Sequence, residues 1–300
     1  MTYHIPIGDG VLHNEPLAKY TAARLGGPAD MLYIARESTD MLAAVVSAAW
    51  ADGVPVRLLG GGANVLISDK GVRGLVVVNA VSGLKVYDDG TVYAESGLSL
   101  TTLARRCLRN NLTGFEWAVS VPGTIGGAVV NNAGAHGSNV QASLREITLL
   151  EHGQPAPRTV PAAELGYDYR TSALKHREDR RFLVLSALFA FERGDHEAIQ
   201  ARMDANIAHR KHTQPPGASL GSIFKNPPGD YAGRLIELAG LKGHTIGGAQ
   251  VSPVHANFFI NTGGASARDY YALIMHVRDT VQQATGVTLE LEVELMGEWN

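Results

Sequence analysis

SVPGTIGGAVVNNAG, residues 120–134, contains four glycines, one proline and two adjacent asparagines, and it carries no charged side chain. A surface loop usually holds more Asp, Lys or Ser. A packed strand holds fewer glycines, because each glycine loses backbone entropy on folding and offers no side-chain contacts. Glycines this dense beside apolar residues indicate a main chain that lies close to a flat or anionic ligand. The stretch therefore predicts a cofactor cradle.

Length and composition describe an ordinary globular chain of 300 residues, long enough for two or three domains. The 26 basic and 29 acidic residues give a net charge of −3, which excludes a general attraction for nucleic acid or anionic membranes. Residues 1–6 show no signal segment, and no apolar run reaches the roughly 18 residues of a membrane span. We therefore expect a soluble, cytoplasmic protein without an obligate protein partner.

The metal-ligating residue types are sparse or badly spaced. A single cysteine, Cys107, excludes an internal disulfide framework and a cysteine-rich metal site. It shares an apolar helical stripe with Leu103, which favours a buried structural thiol over a nucleophile. The eleven histidines show no paired spacing typical of a metal site on a helix. We predict no metal site.

A second glycine-rich segment, Gly60–Gly62, follows a strand predicted at residues 56–59. A Rossmann dinucleotide site requires a long helix after its glycines. Here residues 65–67 and 75–78 are rich in β-branched side chains and predict strands instead, which argues against that fold. A glycine loop between strands still offers successive N–H groups to a phosphate.

The predicted elements mix helices and strands without regular alternation, which indicates an α+β fold. Helices are predicted from Ser38 to about 52, at 99–111, from Asp195 to about Lys211, at 234–239 and at 266–285, with a short helix that begins at Pro122–Gly123. Strands are predicted at 146–150, 159–160, 182–191, 257–261 and 288–296, with a hairpin at 84–94. We expect three domains at residues 1–82, 83–194 and 195–300, with the segment 288–300 returning to the first.

Three polar features stand inside apolar or aromatic surroundings. Arg170 lies close to two tyrosines, which suits recognition of a carboxylate or phosphate but equally a surface arginine stacked on tyrosine. Ser222 lies between Gly221 and an apolar pair, where a turn or helix-capping serine is also consistent. Three glutamates of the last predicted strand, at 290, 292 and 294, share one face, and periodicity alone does not single out one of them.

Six motifs in order resemble the UDP-N-acetylenolpyruvoylglucosamine reductase family, the flavin-dependent MurB enzymes of peptidoglycan synthesis. The motifs are TAARLGGPA (21–29), LGGGANVL (59–66), VPGTIGGA (121–128), YRTS (169–172), GSIFKNP (221–227) and LEV (291–293). The resemblance covers about residues 18–298. Little sequence separates Arg170 from the strand at Phe182, which resembles the shorter, type II form without the extra tyrosine-bearing loop.

The resemblance implies a two-subdomain FAD-binding fold of the vanillyl-alcohol-oxidase (PCMH) type plus a C-terminal α+β substrate domain. It also implies noncovalent FAD, with NADPH as co-substrate, and reduction of UDP-N-acetylglucosamine enolpyruvate to UDP-N-acetylmuramate. By motif position, the FAD-binding residues are Gly60, Gly61, Gly62, Ala63, Asn64, Val65, Pro122, Gly123, Thr124, Gly126, Gly127, Asn132 and Gly134. The catalytic residues are Arg170, Ser222 and Glu292, and the substrate-binding residues are Tyr169, Lys225, Asn226 and His255.

The implied chemistry gives each catalytic residue a reason. Hydride addition to the enolpyruvyl group builds negative charge on the adjacent carboxylate, where preorganised donors lower the barrier most. Arg170 suits that position, and Glu292, if protonated or hydrogen-bonded, helps to polarise the same group. Ser222 matches the proton donor of the family. A free serine is a weak acid, so neighbours such as Lys225 must assist it.

Three positions depart from the family pattern, and two other functions stay open. Ala63 replaces a common serine, a change that would weaken FAD binding by about 1 kcal/mol if one hydrogen bond is lost. His136 replaces a common tyrosine, and Glu294 stands at a usually basic position. The alternatives are another FAD-dependent oxidoreductase, such as an alcohol or lactone oxidase, and a non-enzymatic flavin-binding protein. The presence of Arg170, Ser222 and Glu292 together favours the reductase.

Overall fold

The structure is a computed structural model that describes residues 10–299, so the predictions for residues 1–9 lie outside the described residues. The α-helices are α1 Thr39–Ala51, α2 Leu100–Arg109, α3 Ile125–Asn131, α4 His196–Thr213, α5 Ala232–Leu238 and α6 Ala267–Thr285. Short 3-10 helices lie at Leu17–Tyr20, Glu116–Ala118, Val140–Ala142 and Ala162–Leu165. Within residues 10–299, no helix is long and apolar enough to cross a membrane.

The strands are short and numerous. They are β1 Val11–Pro16, β2 Pro28–Ala35, β3 Val56–Leu59, β4 Val65–Ile67, β5 Val72–Asn79, β6 Leu84–Val86, β7 Thr91–Glu95, β8 Leu112–Thr113, β9 Gly134–Ala135, β10 Ser138–Asn139, β11 Leu144–Glu151, β12 Arg158–Pro161, β13 Phe182–Ala190, β14 Glu192–Arg193, β15 Ala218–Ser222, β16 Thr245–Ile246, β17 Ala249–Val251, β18 Phe258–Asn261 and β19 Glu294–Met296. One four-stranded sheet has the order β1-β2-β5-β3. The mixture of helices and strands confirms the α+β class.

The helix starts predicted near Ser38, Ser99, Asp195 and Ser266 are confirmed, and each start has a capping side chain. Ser38 accepts a hydrogen bond from the third residue of α1 at 3.1 Å, and Ser99 does the same for α2 at 3.1 Å. Asp195 accepts one from the amide of Ala198 at 2.9 Å. Ser266 and the third residue of α6 form a reciprocal capping box. Each bond satisfies an amide that has no partner inside the helix, which fixes where the helix begins.

The described residues form two compact units. The first comprises residues 10–12, Leu32–Gly61 and Gly74–Arg210. Its main sheet is antiparallel, in the order β12-β11-β13-β7-β6, and it includes the predicted hairpin of β6 and β7. The central strand β13 is almost entirely buried, as its apolar sequence predicts. Strands β3 and β5 pair in parallel, with Leu59 opposite Val78. The loop that begins at Gly60 therefore starts at the carboxyl end of this parallel pair.

The second unit comprises His13–Met31, Gly62–Arg73 and residues 211–299. Its main sheet is antiparallel, in the order β15-β18-β17-β16, and α6 packs on β17. On α6, the buried Tyr270 donates a hydrogen bond to the carbonyl of Phe259 at 2.7 Å. Strand β4 pairs in parallel with β19, so the segment after the glycine triplet is joined to the end of the chain within this unit.

The prediction of one alternating strand over residues 288–296 is wrong, because only Glu294–Met296 forms a strand. Before it, Leu291 forms an isolated bridge with Phe224. The amides of Glu292 and Val293 both donate to the carbonyl of Ile223, at 2.8 and 3.4 Å. Two consecutive donors on one acceptor do not fit the alternation of a regular ladder. The three glutamates therefore do not share one strand face.

The short helix after Pro122 begins later than the sequence predicts, at Ile125. Thr124 is extended and forms a bridge with Ser99. The amides of Ile125 and Gly126 donate to backbone carbonyls of residues 98 and 96, at 2.9 and 2.8 Å. This pairing holds the chain extended up to the start of α3. The glycine-rich stretch is thus an extended approach followed by a seven-residue helix.

Candidate active site

The two glycine-rich loops predicted from sequence meet in the first unit. A Cβ on Gly60 would overlap the hydroxyl of Thr124, and a Cβ on Gly61 would lie 3.2 Å from the Cα of Gly123. A real side chain at Gly60 would therefore push the loops apart. A Cβ on Gly126 would likewise lie 3.0 Å from Ser96. Gly61 permits close approach of backbone to backbone, and Gly60 and Gly126 permit close approach of backbone to the side chains of Thr124 and Ser96.

Other glycines in these loops leave their outer face open. A Cβ on Gly123 would meet nothing within 4 Å, and a Cβ on Gly127 would meet only the Thr124 hydroxyl, at 3.8 Å. Both are positions where the described chain leaves room for a bound group. Gly123 also has a φ of 120°, which a side chain would strain.

The loop at residues 60–64 presents consecutive main-chain donors. Within residues 10–299, the amides of Gly61, Gly62 and Ala63 donate no hydrogen bond to protein atoms. Gly62 has a φ of 59°, and a Cβ there would overlap the carbonyl of Tyr20. Successive N–H groups beside a left-handed residue form a concave anion-binding surface. Val65, the next residue in the predicted set after Asn64, is buried at the start of β4.

The segment that carries Arg170 is hydrogen-bonded to the end of α3. Tyr167 Oη donates to the carbonyl of Val129 at 3.0 Å, and Ser172 Oγ donates to that of Val130 at 2.6 Å. The side-chain Nδ2 of Asn132 donates to the carbonyl of Asp168 at 3.0 Å.

These three hydrogen bonds attach the turn that contains Arg170 to the C-terminal end of the glycine-rich stretch within the first unit. Arg170 itself has a φ of 56°, and its guanidinium carbon lies 5.7 Å from the centre of the half-exposed Tyr169 ring. A left-handed arginine at a predicted catalytic position is the kind of backbone exception that functional sites retain. Further along the stretch, Gly134 pairs with Asn139 in the β9–β10 ribbon.

A cleft of about 400 Å³ in the second unit contains three of the predicted residues, Ser222, Asn226 and His255. The full lining consists of Ser222, Asn226, Tyr231, Gly233, Arg234, Glu237, Val254, His255, Ala256 and Asn257. These residues come from the end of β15, the following loop, α5 and the approach to β18. The sequence separates Ser222 and His255 by more than thirty positions, and the antiparallel pairing of β15 with β18 brings their segments together.

Glu292 lies beside the segment of Ser222 through main-chain contacts. Its amide donates to the carbonyl of Ile223 at 2.8 Å, and its own carbonyl accepts a hydrogen bond from Asn64 Nδ2 at 3.1 Å. Lys225, by contrast, points its ammonium at Glu290, 3.3 Å away, and is not among the residues that line the cleft. Within the second unit, the main chain of Glu292 is thus bonded next to Ser222, whereas the side chain of Lys225 is paired with Glu290 outside the cleft.

The environment of His255 fixes its tautomer. Its Nδ1 accepts a hydrogen bond from the amide of Asn257 at 3.2 Å, so the neutral ring carries its proton on Nε2. Burial lowers the pKa of His255, and the positive charge of Lys242 lowers it further, against opposing contributions from its own backbone and Glu237. His255 is therefore neutral near pH 7 and can donate from Nε2.

Sequence reasoning missed two buried polar residues that shape the site. Asn257, only 2% exposed, donates to the carbonyl of Phe224 at 2.8 Å and accepts from its amide at 3.0 Å. It therefore holds the loop after Ser222 in place. Ser172, fully buried, does the same for the Arg170 turn. Asn257 could have been found in the sequence as a polar residue at the start of an apolar predicted strand. Ser172 was already part of the YRTS motif, but no role was assigned to it.

Comparison with known proteins first gives the class of this chain. Residues 31–151 match a family model described as "FAD binding domain". The chain is thus an FAD-dependent oxidoreductase, and the predicted FAD-binding fold of the vanillyl-alcohol-oxidase type is confirmed. Residues 212–296 match a second model, "UDP-N-acetylenolpyruvoylglucosamine reductase, C-terminal domain". The chain belongs to the UDP-N-acetylenolpyruvoylglucosamine reductase (MurB) family, as the six motifs predict.

Individual relatives match over nearly their whole length. The UDP-N-acetylenolpyruvoylglucosamine reductase of Synechococcus sp. (strain RCC307) is 43% identical over 297 residues, covering 98% of this chain and 96% of its own. That of Caldanaerobacter subterraneus is 42% identical, covering 95% and 93%. The crystal structure of the reductase (MurB) from Thermus caldophilus is 32% identical with a TM-score of 0.80, covering 96% of this chain and 98% of that one.

The geometry of the glycine loops fits FAD. A dinucleotide needs donors for its diphosphate and room for a flat ring system. The consecutive amides of Gly61, Gly62 and Ala63 offer donors for the diphosphate, and the open faces of Gly123 and Gly127 leave room for the ring system.

Residues 10–299 contain no group of three or more His, Cys, Asp or Glu side chains arranged to hold a metal ion.

Proposed function

We propose that this chain catalyses the NADPH-dependent reduction of UDP-N-acetylglucosamine enolpyruvate to UDP-N-acetylmuramate in peptidoglycan synthesis. Membership of the reductase family and the FAD-binding domain support this activity. The observation that carries the proposal is the cleft in which Ser222, Asn226 and His255 lie together, with the main chain of Glu292 bonded next to Ser222. Ser222 is the proton donor that the proposed chemistry requires beside the enolpyruvyl group, and Asn226 and His255 are the residues proposed to hold the sugar nucleotide.

In this proposal the glycine loops hold noncovalent FAD. The amides at residues 60–65 bind the diphosphate, and the stretch from Pro122 to Gly127, with Asn132 and Gly134 behind it, forms the surface against the rings. Bound FAD supplies hydride transfer between NADPH and the enolpyruvyl group. Asn132 supports that surface indirectly, since both ends of its side chain are bonded to protein backbone.

Ser222 supplies the proton in the proposed mechanism. Hydride arrives at the terminal carbon of the enolpyruvyl double bond, and the electron pair moves towards the carboxylate. Ser222 Oγ then delivers a proton to the carbon next to that carboxylate. Arg170 balances the negative charge that develops on the carboxylate oxygens. Glu292, in its protonated form, donates a hydrogen bond to the same group, which lowers the barrier to charge build-up.

The remaining predicted residues hold the sugar nucleotide. Asn226 and His255 line the cleft, and His255 donates from Nε2 because its Nδ1 is already an acceptor. Tyr169 offers a half-exposed ring beside Arg170. Lys225 is paired with the exposed Glu290 in the structure and must exchange that partner for the ligand in order to bind the sugar nucleotide. The proposal includes the three-domain division at 1–82, 83–194 and 195–300 and a cytoplasmic location.

The test uses the absorption spectrum of the purified holoprotein. Anaerobic NADPH should bleach the flavin bands, and the enolpyruvyl sugar nucleotide should then restore them with stoichiometric formation of UDP-N-acetylmuramate. A protein that takes up no FAD would contradict the proposal altogether. A flavin that NADPH reduces but that only oxygen reoxidises would instead favour an oxidase acting on an alcohol or lactone.

A further inference from the structure

Asn64 belongs to the glycine loop, yet its side chain contacts the segment of a predicted catalytic residue. Its Nδ2 donates to the carbonyl of Glu292 at 3.1 Å, across 228 positions of sequence. Its own carbonyl accepts a hydrogen bond from the amide of Glu294 at 3.0 Å. The parallel pairing of β4 with β19 begins at the next residue, where Val65 lies opposite Glu294. Asn64 therefore lies just before the first paired residue of β4, and its side chain adds a hydrogen bond to the Glu292 carbonyl beyond the end of the backbone pairing.

Glu292 is held by its amide as well as by its carbonyl. The amide donates to the carbonyl of Ile223, the neighbour of Ser222, at 2.8 Å. Two residues earlier, the carbonyl of Glu290 accepts from the amide of Lys225 at 2.8 Å. The main chain of Glu292 is thus bonded to the Ser222 segment through its N–H and to Asn64 through its C=O.

These individual bonds matter because Glu292 lies outside any regular strand. Residues 288–293 form no ladder, and the nearest strand begins at Glu294. The direction of the Glu292 side chain follows from the orientation of its two flanking peptide groups. The Asn64 bond fixes the peptide group on the C-terminal side. Loss of that bond would free the main chain at Glu292, and with it the direction in which the side chain leaves the backbone.

We infer that Asn64 is a positioning residue for Glu292, coupling the FAD loop to the proton-transfer site through the Glu292 carbonyl. The inference rests on the proposed function, which gives Glu292 its role. It predicts that changes at Asn64 act on the reduction of the enolpyruvyl group more than on the reduction of the flavin. A residue that served only to bind FAD would affect both half-reactions through cofactor loss.

The decisive variant is Asn64→Asp, which keeps the size of the side chain and replaces the donor facing the Glu292 carbonyl by an acceptor. Asn64→Ala serves as a second variant if the aspartate form does not fold. Asn261→Ala is the matched control. It removes another asparagine bond to a distant carbonyl of the same unit, from Asn261 Nδ2 to Ala23 at 3.0 Å, together with the bonds that Asn261 Oδ1 accepts from the amides of Gly263 and Ala265, without touching Glu292.

Two measurements are compared across these variants. Stopped-flow spectra of FAD-saturated protein give the rates of flavin reduction by NADPH and of reoxidation by saturating enolpyruvyl sugar nucleotide. Hydrogen exchange of the apoprotein gives amide protection at residues 223–225 and 290–294. We expect Asn64→Asp to slow reoxidation by about 10- to 100-fold, as a misplaced catalytic group does. Flavin reduction should change much less, and exchange at Glu292 should rise. Asn261→Ala should leave both rates and this exchange unaltered.

Two results would overturn the inference. One is unchanged protection of residues 290–294 together with weaker FAD binding, which would assign Asn64 to the cofactor alone. The other is equal slowing of both half-reactions at saturating FAD. Failure of the proposed function gives a different signature, because the wild-type flavin would then not be reoxidised by the sugar nucleotide. The exchange comparison would still decide whether Asn64 fixes the Glu292 main chain.

Discussion

Gly60 and Thr124 lie so close together that a single added methyl group on Gly60 would overlap the Thr124 hydroxyl. The contact joins the end of β3 to the start of α3, and so joins the two glycine-rich loops on which the FAD site depends. The sequence separates these residues by more than sixty positions. Their proximity explains why position 60 carries no side chain.

Gly60→Ala should separate the loops, whereas Gly127→Ala should not. The first substitution overpacks the contact with the Thr124 side chain and should lower the free energy of unfolding of the apoprotein by about 1–3 kcal/mol. The second adds a methyl group on an open helical face and should leave apoprotein stability unchanged or raise it by about 0.5–1 kcal/mol. Urea unfolding of both apoproteins measures the difference, and equal stability of the two would contradict the described contact. FAD titration should show weakened binding in both.

Cys107 should be unreactive in the native protein. It is 2% exposed, and burial, aided by the negative charge of Glu116, raises the pKa of its thiol to about 12. A thiol reagent at pH 8 should therefore leave the holoenzyme active and modify Cys107 only after denaturation. Cys107→Ser should destabilise the fold more than Cys107→Ala, because a buried hydroxyl needs a partner. Rapid modification of the native protein would contradict this burial.

The buried Glu116 should stabilise the first unit above pH 4 and lose that effect in acid. Burial acts to raise the pKa of its carboxyl group, but hydrogen bonds from Arg202, from the backbone at Glu116 and Gly114, and from the Thr113 hydroxyl outweigh burial and lower the pKa. A carboxyl whose folded pKa lies below its unfolded value of about 4.3 stabilises the fold above that value. Its contribution disappears as the pH falls through the folded pKa.

Glu116→Gln should accordingly reduce the free energy of unfolding at pH 7 by about 1–2 kcal/mol, a modest value because Arg202 is half exposed. The variant should also show a flatter dependence of stability on pH between 5 and 3. Chemical denaturation across this range measures both quantities. Parallel curves for wild type and variant would show that Glu116 has no pKa shift between the folded and unfolded states.

His255 gives a pH dependence of the same sign as Glu116, but at higher pH. Burial lowers the pKa of the folded His255, so below its unfolded value of about 6.5 the unfolded chain binds a proton that the folded chain does not. Stability should therefore fall as the pH is lowered through that value. His255→Asn should flatten the stability curve between pH 7.5 and 5.5. An unchanged slope in the variant would mean that His255 titrates alike in both states.

The sequence predicted the parts of the fold that local chemistry decides. The starts of α1, α2, α4 and α6 were predicted at serine and aspartate residues that cap these helices in the structure. The β-branched residues after Gly60–Gly62 correctly argued against a Rossmann helix. The segment before β19 was mispredicted because its alternation of leucine and glutamate matches a strand. Its hydrogen bonds go instead to Ile223 and Lys225, and such long-range pairing leaves no mark in local periodicity.

The candidate site was predictable in its residue types but not in its supports. Ser222, Asn226 and His255 were identified from motifs, and the structure brings them to one cleft. Asn257, which holds the loop after Ser222, is an ordinary residue at the edge of an apolar strand until β15 and β18 are paired. Hydrogen bonds from a side chain to the backbone of a residue distant in sequence can be identified only in the folded structure.

The central claim, that Ser222 donates the proton, is tested most directly by stopped-flow measurement of both half-reactions in Ser222→Ala, with Ser219→Ala on the same strand as control. The account predicts that NADPH reduces the variant flavin at close to the wild-type rate. Reoxidation by the enolpyruvyl sugar nucleotide should be slower by about 10²- to 10⁴-fold, the usual contribution of a positioned general acid. The control should behave as wild type in both steps. Equal slowing of the two half-reactions in Ser222→Ala, or reoxidation at the wild-type rate, would contradict the assignment.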